Sequence, residues 1–202
     1  MSITSDFSKF KKIDAHSHIG TFGSPFNIHF NADLLLKQME EFNIEKTILC
    51  SDGPHTNEET VAAFKAHPDK IIPLMWINCA EGKPAYDALE HYIRDEHFAG
   101  AKLQSLFDGY CADDPCVDPV AEICEKHGIF LISDEIHGEL TAEGFRYTPL
   151  ASVSPWAKDH VITASAASKA FNIAGLQTAY IIAPVAEARN RIDRQININE
   201  VC

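Results

Sequence analysis

Between residues 12 and 133 short apolar runs alternate with stretches of helical periodicity, a rhythm that a parallel sheet with crossover helices satisfies. Residues 12–16, 46–50, 71–77, 100–103 and 129–133 read as strands, with Pro73 a blemish in the third. Residues 32–42, 57–66, 85–96 and 118–126 read as the helices between them, the last closed by His127-Gly128. The chain is therefore α/β, either a barrel or a doubly wound open sheet, and both gather functional groups at the carboxyl ends of their strands. A complete eight-stranded barrel takes about 250 residues, and this chain has 202. After Asp134 the texture changes: a polar loop over 135–147, a short helix over 149–158 and a strand over 161–164. A Ser/Ala loop ending at Lys169, a strand over 178–183 and a helix over 185–196 complete the reading.

Composition narrows the chemistry. Hydrophobic residues make up 46% of the chain and charged residues 23%, which fits a globular protein and excludes disorder, collagen and coiled coil. A net charge of −12 opposes attraction to nucleic acid or anionic lipid, so the expected partner is a small-molecule substrate. No apolar run reaches the roughly 20 residues of a membrane span, and residues 1–12 are too polar for a secretory signal. A cytoplasmic location is the expectation. The six cysteines show no C-x-x-C spacing and read as reduced, structural thiols.

His16 and His18 stand at the end of the first strand, where alternation sends both imidazoles to one side. Two such nitrogens suit a divalent metal, zinc above all, with further positions left for a third ligand and water. The alternative is a pair of polar residues that merely finish a strand. The surrounding segments are Ile13-Asp14-Ala15-His16-Ser17-His18-Ile19-Gly20, Ala66-His67-Pro68-Asp69-Lys70-Ile71-Ile72-Pro73 and Phe98-Ala99-Gly100-Ala101-Lys102-Leu103. Over residues 10–130 they resemble the amidohydrolase superfamily, in particular its branch with decarboxylase-like members. The resemblance implies the first four β/α units of a metal-dependent TIM-type barrel, with His16 and His18 as metal ligands. Lys102 shares a face with Gln104 and reads either as pointing into the barrel mouth or as a snorkelling structural lysine. Where this superfamily carries a metal-binding histidine on strand five, the chain has Asp134, which would serve as a third ligand.

A second resemblance begins at Ile132. Ser133-Asp134-Glu135-Ile136-His137-Gly138, Tyr147-Thr148-Pro149-Leu150 and Ser168-Lys169-Ala170-Phe171-Asn172-Ile173-Ala174-Gly175-Leu176 resemble fold-type I pyridoxal-phosphate enzymes. The likeness is to C-S lyases related to cystathionine β-lyase and to class I/II aminotransferases. It implies Lys169 as the Schiff-base lysine and Asp134 as the partner of the pyridinium nitrogen, with His137 near the phenolic oxygen and Ser168 on the phosphate. The family's upstream glycine-rich phosphate loop has no counterpart before Asp134.

Two fragments therefore follow one another: residues 1–130 as an amidohydrolase-like half barrel, and 131–202 as a fragment of a pyridoxal-phosphate transferase or lyase large domain. A single sheet continuing across the seam is expected, because residues 118–133 satisfy the local pattern of either parent. Three functions remain open. One is a metal-dependent hydrolase or decarboxylase fragment, another a pyridoxal-phosphate lyase or aminotransferase acting through Lys169, and the third a folded chimera without full activity. Asp134 cannot serve a metal and a pyridinium nitrogen together. Unpaired strand edges lead to an expected homodimer.

Overall fold

In the computed structural model, residues 11–198 are described apart from 24, 26, 112, 130 and 177. They form two compact units that divide after Cys111, upstream of the seam at 130 read from the sequence.

The first unit is built on a parallel sheet of β1 (Lys12–Ser17), β4 (Ile44–Cys50), β5 (Ile71–Trp76) and β6 (Gly100–Lys102), in that spatial order. The helices α1 (Ala32–Glu41), α2 (Asn57–Ala66) and α3 (Lys83–Arg94) are the crossovers. The local reasons are plain for α1 and α3. The Asn31 side chain caps α1 by accepting the Leu34 N–H at 3.0 Å, and α1 buries Leu35 and Met39, one turn apart, in a cluster with Ile19, Leu49, Ala63 and Ile71. Along α3 the buried positions Ala85, Leu89, Tyr92 and Ile93 make one apolar stripe. Pro73 is tolerated in a central strand because its missing N–H falls just before β5 begins to pair with β6, at Leu74 opposite Gly100. Its carbonyl still accepts the Ala99 N–H at 3.0 Å.

Two features of this unit were not read from the sequence: a hairpin of β2 (Gly20–Phe22) and β3 (Ile28–Phe30), and the short helix α4 (Ser105–Asp108).

The second unit holds α5 (Asp118–Lys126), β7 (Leu131–Asp134), α6 (Pro155–His160), β8 (Val161–Ser165), β9 (Tyr180–Ile182) and α7 (Ala186–Ile198). The expected single sheet across the seam is not what forms. The backbone of β7 pairs parallel to β8, with Leu131 opposite Val161 and Asp134 opposite Ala164, and β9 runs antiparallel on the far side of β8. The fifth strand thus begins a separate three-stranded sheet. The core here is small: Val120, Cys124, Ala157, Val161, Ala166 and Ala183. Ile132 in β7 is 71% exposed, and all three residues of β9 are exposed. Among the described residues no helix is long and apolar enough to cross a membrane.

Candidate functional site

The first unit gathers its chemistry where the rule for parallel sheets puts it, at the carboxyl ends of the strands. Between Asp14 and Ser17, β1 shifts register against β4, three steps on one strand against two on the other. Ser17 holds the strand end beyond the shift: its hydroxyl lies 2.7 Å from that of the fully buried Thr47 and donates to the Ile48 carbonyl. His16 and His18 then meet edge to face, their ring centroids 4.7 Å apart and their Nε2 atoms 2.8 Å apart. Lys102 at the end of β6 brings its Nζ to 3.0 Å from His16 Nε2 and 3.4 Å from His18 Nε2. The lysine thus points inward to the imidazoles.

The protons in this triangle can be assigned in part. His18 Nδ1 lies 2.9 Å from the Cys50 carbonyl, which only accepts, so Nδ1 carries the proton and His18 Nε2 presents a lone pair. Each imidazole offers at most one lone pair. The His18 Nε2 lone pair can accept from His16 when that ring carries its proton on Nε2, and both Nε2 lone pairs face the Lys102 ammonium when His16 carries it on Nδ1. Burial, and then the charge of Lys102, hold both histidines below the usual imidazole range, so both rings stay neutral and able to ligate. Burial likewise lowers the Lys102 ammonium, against the pull of Cys50 and Asp52.

Beside the triangle opens a cleft of about 480 Å³ lined by His18, Phe22, Asp52, Trp76, Lys102 and Asp108. Buried Asn57 fixes Trp76 at the end of β5, donating to its carbonyl at 3.1 Å and accepting from its N–H at 2.9 Å. The Trp76 indole N–H donates to Asp108 Oδ2 at 3.1 Å, and its ring face lies 5.5 Å from Lys102 Nζ. Burial raises Asp108, and the Trp76 hydrogen bond opposes the shift. Asp52 and Trp76 carry no motif; their one signal in the sequence is position, just past or at a strand end, whereas Asp108 closes α4 and has no such signal. Gln104 also lines the cleft.

Among the described residues no group of three or more His, Cys, Asp or Glu could hold a metal ion. His16 and His18 belong to the first unit and Asp134 to the second. The third group beside the imidazoles is Lys102.

In the second unit, Asp134 ends β7 and Lys169 follows β8 in a turn, so topology brings both to the carboxyl ends of adjacent parallel strands. Both are exposed, as is His137, and Ser168 is half-buried. Asp134 Oδ1 accepts the Ile136 N–H at 3.2 Å, the Ser168 carbonyl accepts from Ile173, and Glu135 accepts the Leu150 N–H at 3.0 Å. Burial and a hydrogen bond to Glu135 push the Tyr147 phenol far up. Its ring lies against Gly138, where a Cβ would come within 2.7 Å of it.

Residues 108–199 match the family described as Aminotransferase class I and II. Cystathionine beta-lyase PatB of Bacillus subtilis (strain 168) is 41% identical over 80 residues, which are 40% of this chain and 21% of that protein. The chain spans about a fifth of that relative's length. Among solved structures, 5-carboxyvanillate decarboxylase of Novosphingobium aromaticivorans, crystallised with manganese, superposes with a TM-score of 0.54 at 14% identity, covering 62% of this chain and 51% of that one. The pyridoxal-phosphate-bound C-S lyase of Staphylococcus hominis superposes with a TM-score of 0.51 at 21% identity, covering 75% of this chain and 39% of that one. The chain thus combines similarity to class I/II aminotransferases and C-S lyases with structural likeness to amidohydrolase-like decarboxylases.

Proposed function

We propose that the first unit binds a divalent metal ion through the Nε2 atoms of His16 and His18, as a hydrolase or decarboxylase fragment acting on a small molecule in the adjoining cleft. The observation that carries this reading is the convergence of two neutral imidazole nitrogens, 2.8 Å apart, with the proton of His18 held on Nδ1 by the Cys50 carbonyl. A backbone carbonyl on the distal nitrogen is the usual way a metal-ligating histidine is oriented. The donor set fits two positions of a zinc-like ion. When bound, such an ion lowers the pKa of a coordinated water or polarises a substrate oxygen. The protein's own part is to hold the rings, with Ser17 and Thr47 fixing the strand end, and to offer an aromatic wall in Trp76 and Phe22. After dialysis against micromolar zinc, the protein is expected to retain one metal per chain by elemental analysis, and His16→Ala none. Equal retention by the two overturns the reading.

A second reading rests on the similarity of residues 108–199 to class I/II aminotransferases. Lys169 and Asp134 are the right residue types at neighbouring strand ends to meet a pyridoxal-phosphate aldehyde and pyridinium nitrogen, and that cofactor supplies an electron sink. Because both side chains are open to solvent, weak cofactor retention is expected. Borohydride reduction followed by peptide mapping is expected to fix the cofactor on Lys169 alone; labelling spread over several lysines contradicts a site. On these two readings the chain is a chimera in which each unit carries part of a site.

A further inference from the structure

We infer that Lys102 is a built-in competitor for the metal, its ammonium holding the lone pairs of His16 and His18 until an entering divalent ion displaces it. This rests on the metal reading of the two histidines. The geometry assigns the role. Lys102 Nζ lies 3.0 Å and 3.4 Å from the two Nε2 atoms, inside the space on which both lone pairs converge. An ammonium and a divalent ion cannot occupy that space together: both are cations seeking the same lone pairs, and like charges a few ångströms apart repel strongly in a partly buried site. Without that cation, His16 would turn an Nε2 proton onto the His18 lone pair 2.8 Å away, which spoils one of the two metal-binding nitrogens. The ammonium therefore keeps both Nε2 lone pairs free of a proton and raises the threshold for metal entry at the same time. The displaced group has somewhere to go. The Trp76 ring face is 5.5 Å away, and the Asp108 carboxylate that anchors the indole lies in the same cleft as Asp52. There the ammonium would stand beside the metal as a cationic contact for an anionic substrate.

The alternative chemistry is a neutral Lys102 amine acting as a third nitrogen ligand, and it predicts the opposite sign. Zinc alone is titrated calorimetrically, at one pH, into the full-length wild type, Lys102→Met and Lys102→Gln, each checked for folding by circular dichroism. Both variants are expected to bind zinc at least about tenfold more tightly than the wild type, since the competing charge is gone and His16 and His18 remain. Equal or weaker binding by the folded variants overturns this inference and leaves the metal reading intact. Absence of zinc binding by all three overturns the metal reading as well.

Discussion

Single residues set the site by tying down backbone more than by touching a ligand. Asn57 is 5% exposed and spends its amide on both backbone groups of Trp76. Asn57→Ala leaves a buried N–H and a buried carbonyl without partners, a loss of about 2–3 kcal/mol. Urea unfolding is expected to show that loss, and an unchanged midpoint would contradict the role given to the amide. A neighbouring chain of buried hydroxyls works in the same way: Ser51 lies 3.0 Å from Thr60, and Thr60 donates to the Thr56 carbonyl, tying the end of β4 to the start of α2. At this scale alternation put the two imidazoles on one side of a strand end, and left open whether they take a metal or merely finish the strand. It left Lys102 with two readings, because a lysine after an apolar strand looks the same whether its head reaches water or a pair of rings. Asn57 and Asp108 could not be found by pattern at all, since each matters through hydrogen bonds to Trp76.

The elements that were legible are those whose local signals agree with their packing. Helix α2 runs over Asn57–Ala66 and α5 over Asp118–Lys126, as their periodicity required. The hairpin of β2 and β3 escaped because strands of three residues give no period to read. The fate of residues 129–133 escaped for a different reason. An apolar strand says that it will pair, and it does not say with which partner; β7 takes β8 because Leu131 to Asp134 register with Val161 to Ala164. The same sheet has outer strands β7 and β9, with Ile132, Tyr180, Ile181 and Ile182 exposed. Open apolar edges of this kind invite another strand. A homodimer is the expected state, and sedimentation velocity at micromolar concentration should find it; a monomer across that range would count against an interface on these strands.

For the whole molecule, two compact units hold two different sets of candidate groups. The first brings together His16, His18 and Lys102, with a cleft beside them; the second brings Asp134 and Lys169 to neighbouring strand ends. Asp134 belongs to the second unit, and the third group beside the imidazoles of the first is Lys102. Function resides in sites and not in folds, so the account stands on whether the two imidazoles take a metal. The most direct measurement is an anomalous difference map from crystals of the full-length protein grown with zinc, collected at the zinc edge. The account predicts a peak within about 2.0–2.1 Å of Nε2 of both His16 and His18, with Lys102 turned away towards Trp76. A map with zinc bound elsewhere, and the Lys102 ammonium still seated between the two rings, would contradict it.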